Sequence, residues 1–135
     1  MTREPVILYV DDDPFSCQVM ELLLIRKLQF KNVTIFESSA DFMGRLAGLA
    51  PQPDVFLLDI HMEPHDGFAL LKMLRQHPDY QSAKIVALTA SVMNEEVEQL
   101  KRAGFDSVLA KPVDQATFPS SLSRILAGEN IWTVI

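Results

Sequence analysis

Residues 6–14 read Val-Ile-Leu-Tyr-Val-Asp-Asp-Asp-Pro, and this stretch decides the fold. Five consecutive apolar or β-prone residues suit a strand covered on both faces, not the alternating pattern of a half-exposed one. Three acids and a proline follow at once, as where a strand runs into a helix, with Asp13 as N-cap and Pro14 as first helical residue. Outward from it the same pairing recurs. Further strands are predicted at residues 33–36, 55–58, 85–88 and 108–110, each short and apolar.

Between the strands the apolar residues recur at helical spacing. Phe15, Val19, Leu22, Leu23 and Arg26 mark the first helix; Phe42, Leu46 and Leu49 mark the second, with Ser39 as its N-cap. Asp66 and Gly67 open the third, which runs through Leu70, Leu71 and Leu74 and ends near His77, because Pro78 disfavours helix before it. Asn94 caps the fourth, Glu95 and Glu96 suit its positive end, Val97 and Leu100 face inward, and Gly104 closes it. Phe118, Leu122, Ile125 and Leu126 mark the fifth. Pro119 forces that helix to start late or bend, since an interior proline costs about 3 kcal/mol. Strand–helix alternation of this kind predicts an α/β domain on a parallel sheet.

The 135 residues fit one domain, and 48% apolar with 22% charged residues is a folded composition rather than a disordered one. Twelve Lys+Arg against 18 Asp+Glu give 12 − 18 = −6, which excludes the basic footprint of a nucleic-acid binder. A single cysteine, Cys17, excludes a disulfide framework and any multi-cysteine zinc site. No apolar run reaches the ~20 residues of a membrane span, and no signal peptide opens the chain. A soluble, cytoplasmic protein is expected.

Ligands of an open parallel sheet sit outside the carboxyl ends of its strands. Those ends carry Asp11, Asp12 and Asp13, then Asp59, Thr89 and Lys111-Pro112. Asp11, Asp12 and Asp59 with Lys111 sum to −3 + 1 = −2, a cluster that repels itself unless a divalent cation joins it. Mg²⁺ is the expected ion, because it takes hard oxygen ligands and few protein carboxylates. A carboxylate beside Mg²⁺ can act as nucleophile toward a phosphoryl group, with Lys111 neutralising the transferring oxygens and Thr89 donating its hydroxyl. His61 and His65 lie four apart, but Pro64 between them opposes the helix that would bring both to one zinc ion.

Strand plus Asp-Asp, then Asp-Ile-x-Met-x-x-x-Asp-Gly, a strand ending Leu-Thr-Ala, and Lys-Pro, in that order, resemble the receiver domain of two-component response regulators. The resemblance covers residue 6 to about 127. It implies a single doubly wound (βα)5, flavodoxin-like α/β fold, with a five-stranded parallel sheet in order 2-1-3-4-5 and helices on both faces. It also implies that Asp59 is the phospho-acceptor, that Asp12 binds Mg²⁺ directly with Asp11 supporting it, and that the backbone carbonyl of His61 completes the metal site. Thr89 is then the switch hydroxyl and Lys111 the phosphoryl contact. The implied donor is a histidine kinase or histidine phosphotransfer protein, and the implied output is protein contact with a downstream target or a second copy. The domain is not an enzyme in the ordinary sense, catalysing only its own phosphorylation and dephosphorylation.

Two departures stand out. The Met-Pro that usually follows the acceptor is Met62-Glu63, with Pro64 one position later, and the usual aromatic three before the lysine is Val108. A receiver-fold binding module with weakened switching is therefore the alternative, as is a receiver cut from a larger signalling protein. A phosphohydrolase is disfavoured because Asp59-Ile60-His61 lacks a second acid. A flavin binder is disfavoured because the first strand leads into three aspartates rather than a glycine-rich phosphate loop. Residues 1–127 are assigned to the receiver, leaving no effector domain, and 128–135 to an apolar tail. Ile131, Trp132, Val134 and Ile135 are expected to pack back on the domain or to dock a partner.

Overall fold

A computed structural model describes residues 4–132. In chain order the elements are β1 (Val6–Val10), α1 (Pro14–Glu21), β2 (Asn32–Phe36), α2 (Phe42–Ala47), β3 (Val55–Asp59), α3 (Gly67–Arg75), β4 (Lys84–Thr89), α4 (Asn94–Ala103), β5 (Ser107–Ala110) and α5 (Phe118–Leu126). All four strand pairings are parallel, in the order β2-β1-β3-β4-β5. The sheet is the one implied by the resemblance.

Because strand side chains alternate, the sheet builds two cores. Leu8, Val10, Phe56, Leu58, Ile85, Ala87 and Val108 face α2, α3 and α4. Ile7, Tyr9, Val55, Leu57, Val86, Leu88 and Leu109 face α1 and α5. Covering on both faces explains why the strands read as continuous apolar runs.

Several local expectations are corrected. α1 passes into a π-helix at Leu22–Lys27, with the Leu28 amide donating to the Leu23 carbonyl at 2.9 Å. The face that α1 buries is already rotated from the expected one before the wider turn begins. Cys17, Met20, Leu23 and Leu24 are buried, while Phe15 and Leu22 are 70% and 47% exposed. Ser39 does not cap α2, whose N-cap position is held by Asp41. The Ser39 hydroxyl instead donates to the His65 carbonyl at 2.7 Å and accepts from the His65 amide at 2.9 Å. Asn94 is the first residue of α4, and Met93 precedes it as N-cap. Pro119 sits in the first turn of α5, which starts at Phe118 as the apolar spacing predicts, so the proline is accommodated where no intrahelical amide is needed and the late start is not seen.

The caps at Asp13 and Asp66 form: Asp13 Oδ2 accepts from the Ser16 amide at 3.2 Å, and Asp66 Oδ1 from the Ala69 amide at 2.9 Å. Gly104 closes α4 at φ +116°. Beyond α5, Ile131 and Trp132 pack on the domain, with Trp132 bridged to Val108 of β5. Val134 and Ile135 lie outside the described residues.

Candidate functional site

Parallel strands in register bring their carboxyl ends to one rim. β1 leads to Asp11 and Asp12, β3 ends in Asp59, β4 ends in Thr89, and β5 leads to Lys111. Asp11 is fully buried, Asp59 and Thr89 are 4% and 3% exposed, and Asp12 is open to solvent. The Lys111 ammonium donates to Asp11 Oδ2 at 2.8 Å and to Asp59 Oδ1 at 3.2 Å. Residues 100 and 52 positions away from Lys111 thus share its charge.

Asp11 has further donors. The Tyr9 hydroxyl donates to the same Oδ2, and the Asp13 amide donates to Oδ1 at 2.9 Å. The Cys17 thiol donates to the Asp11 carbonyl at 3.2 Å. Burial, followed by the charge of Asp11, pushes that thiol up to about 12, so it is an inert core group.

Burial, with the neighbouring charge of Asp11, pushes the Asp59 carboxyl up to about 6, against the pull of Lys111. Burial draws the Lys111 ammonium down, but its hydrogen bond to Asp11 and the charges of Asp11 and Asp59 outweigh it and hold the group above its usual value. The same causes, burial first and Asp11 second, push the Tyr9 phenol far up, so it remains a protonated donor.

The acceptor end of β3 is shaped by Gly67. Its amide donates to the Ile60 carbonyl at 3.0 Å, and a Cβ there would lie 2.8 Å from the Asp59 carbonyl oxygen and from Ile60 Cδ1. Only glycine lets the start of α3 approach this closely. The Thr89 Oγ1 accepts from the Ser91 amide at 3.1 Å, and the hydroxyl's own proton is left to donate. His61 and Glu63 are exposed in the β3–α3 loop, which borders an open groove shared with Asp12. The Glu63 amide donates to Asp12 Oδ2 at 3.4 Å.

One carboxylate oxygen from each of Asp11, Asp12 and Asp59 lies within 4.8 Å of the others. Three hard oxygens facing a single ammonium, with Asp59 raised first by burial and then by the charge of Asp11, fit a hard divalent cation. Two contributors were not singled out from the sequence. Tyr9 is a hydroxyl-bearing residue in an otherwise aliphatic strand, two before Asp11, which puts both on one face of the strand. The sequence pattern marks Gly67 as a helix start, whereas its packing role depends on Asp59 and Ile60 of the preceding strand end.

The fold and rim define a doubly wound α/β domain with an acidic, cation-competent edge. The family model for the response regulator receiver domain matches residues 7–123, and the chain belongs to that family, a family of signalling domains rather than metabolic enzymes. An uncharacterised 14.6 kDa protein from the sodA1 3′ region of Leptolyngbya boryana is 31% identical over 120 residues, covering 89% of this chain and 86% of that protein. Hybrid signal transduction histidine kinase D of Dictyostelium discoideum is 30% identical over 129 residues, covering 92% of this chain and 8% of the kinase. Signal transduction histidine-protein kinase BarA of Escherichia coli K12 is 29% identical, covering 93% and 13% respectively. The chain thus spans a small part of these kinases' length. Chemotaxis protein CheY4 of Vibrio cholerae shares the fold at TM-score 0.79 and 23% identity, covering 91% of this chain and 99% of that one. The signal receiver domain of a histidine kinase from Syntrophus aciditrophicus does so at 0.77 and 23%, covering 92% and 91%.

Proposed function

We propose that this chain is a stand-alone, cytoplasmic receiver, assigned to residues 1–127. It accepts a phosphoryl group on Asp59 from the phosphohistidine of a histidine kinase or phosphotransfer protein and signals by protein contact. The observation that carries the reading is the Asp59 carboxylate, 3.2 Å from the Lys111 ammonium and clustered with Asp11 and Asp12. In the transfer a carboxylate oxygen of Asp59 attacks phosphorus, the P–N bond to the donor imidazole breaks, and the imidazole leaves with that electron pair. Lys111 moves from Asp11 toward the new phosphoryl oxygens, and the Thr89 hydroxyl donates to one of them. Asp12 and Asp59 would hold Mg²⁺, with Asp11 behind them and the His61 backbone carbonyl completing the set; the ion supplies charge neutralisation for the transferring group.

Burial suits this role because electrostatic contacts gain strength where water is excluded. Phosphorylation replaces one carboxylate charge by about −2 and so biases a two-state surface.

The test is Mg²⁺-dependent labelling by a small phosphodonor such as phosphoramidate, with Asp59→Asn alongside. Label on the wild type that chelation abolishes and the variant lacks is the expected result. An unlabelled wild type overturns the function, and a labelled Asp59→Asn overturns the site.

A further inference from the structure

The segment after α5 lies outside the acidic rim, yet it bridges two elements whose other ends reach that rim. Gly128 turns the chain at φ +106°, and the Arg124 guanidinium holds the Glu129 carboxylate at 3.0 Å. Ile131 and Trp132 then lie along β5. The Ile131 amide donates to Ser107 Oγ at 2.8 Å, and the Val108 amide donates to the Ile131 carbonyl at 2.8 Å. Ile131 joins the core on the α1 and α5 side, whereas Trp132 joins the core on the α4 side. The ammonium of Lys101, on α4, sits 5.1 Å from the centre of the indole ring. The segment therefore fastens α4 to the edge of β5 from outside.

The same elements run into the site. Three residues after Val108 comes Lys111, which touches both Asp11 and Asp59. The loop that enters α4 begins at Thr89, whose Oγ1 holds the Ser91 amide. Between the two, Val108 is paired with Ala87, and Ala110 with Thr89. A phosphoryl group on Asp59 presents three acceptor oxygens to Lys111 and Thr89. Drawing either toward it displaces the strand or the helix that the segment spans.

We propose that residues 129–132 are a latch, closed on β5 while Asp59 is unmodified and loosened when Asp59 carries a phosphoryl group. This rests on phospho-acceptance at Asp59. The closed latch belongs to the unmodified state because Lys111 is here engaged with Asp11, the position it leaves on loading. Two hydrogen bonds, the exposed Arg124–Glu129 ion pair and the packing of Ile131 and Trp132 make a contact small enough to be reversed by the roughly 5–150-fold bias typical of coupled sites.

Trp132 is the single tryptophan of the chain and so reports on the latch. In the full chain, Mg²⁺ with beryllofluoride, a phosphoryl mimic, should at least double the acrylamide quenching of Trp132. It should also lower hydrogen-exchange protection of the Val108 amide by about 5-fold or more, and Asp59→Asn should show neither change. Linkage is reciprocal, so Ser107→Ala or Lys101→Gln, which weaken the latch and keep Trp132, should tighten beryllofluoride binding by about the same factor. Beryllofluoride bound, by fluorine NMR, with Trp132 quenching and Val108 protection unchanged or reversed overturns the latch and leaves phospho-acceptance standing. Failure to bind beryllofluoride, together with failure to take label from phosphoramidate, overturns both.

Discussion

The hydroxyl of Tyr9 donates to Asp11 Oδ2, the oxygen that also accepts from the Lys111 ammonium. A buried carboxylate is thereby held in one orientation, with its ammonium partner fixed toward Asp59. Hydrogen bonds to charged groups contribute about 1.5–3 kcal/mol, and Tyr9→Phe removes this one while keeping the ring that fills the core. Unfolding in urea should show stability lowered by that amount, read as a lower midpoint at unchanged slope. A variant as stable as wild type would mean that Lys111 and the Asp13 amide satisfy Asp11 without the phenol.

Gly67 carries a different constraint, steric rather than polar. Gly67→Ala puts a methyl group 2.8 Å from the Asp59 carbonyl oxygen, so β3 or α3 must shift, at roughly 1–3 kcal/mol for an overpacked site. Labelling of Asp59 by a small phosphodonor should fall at least 10-fold with the fold retained, as judged by circular dichroism. Gly48→Ala is the control, since its Cβ would meet only the Arg45 carbonyl at 3.6 Å. Equal labelling of the two variants would remove Gly67 from the positioning of Asp59.

Much of this was legible in the chain because strand ends announce themselves. β1 falls on the predicted residues, and Asp11, Asp59, Thr89 and Lys111 stand where a parallel sheet collects its chemistry. The misread positions share a physical cause, which is that local spacing cannot report distant partners. The Ser39 hydroxyl looked like a helix cap, but the His65 backbone 26 residues away takes it. Phe15 and Leu22 mark one phase of the helical period, but Cys17, Met20 and Leu24, on the same i, i+3, i+7 spacing, are the residues that the sheet covers. The pairing of Trp132 with Val108 depends on a β5 edge that the topology creates.

Asp59 gives the metal-free protein a specific pH dependence. Its carboxyl rises from an ordinary 3.8 to about 6 on folding, so between those values the native state holds a proton that the unfolded chain has lost. Stability then falls as pH rises through the window, because the native state binds more protons there. The loss amounts to on the order of 3 kcal/mol. With EDTA present, Asp59→Asn should match wild type near pH 4 and exceed it by up to that amount at pH 7.5 in thermal unfolding. A difference that stays flat across the range would show that Lys111 already compensates the buried charge.

Phe15 is 70% exposed on α1, and with Val19 and Val113 it borders a groove that reaches Lys111. Leu22 and Ile25 extend the exposed apolar surface along the same helix and its π-helical continuation. A protein that delivers a phosphoryl group to Asp59 must rest on the surface around the rim, whereas a small phosphodonor need not. Phe15→Ala should therefore slow transfer from a phosphohistidine protein by about 10-fold, the equivalent of 1.4 kcal/mol, while labelling by phosphoramidate stays the same. Thermal stability should change by less than about 0.5 kcal/mol, since the ring packs little. The ratio of the two transfer rates is the measurement. If both fall together, Phe15 shapes the site itself rather than the docking of the donor.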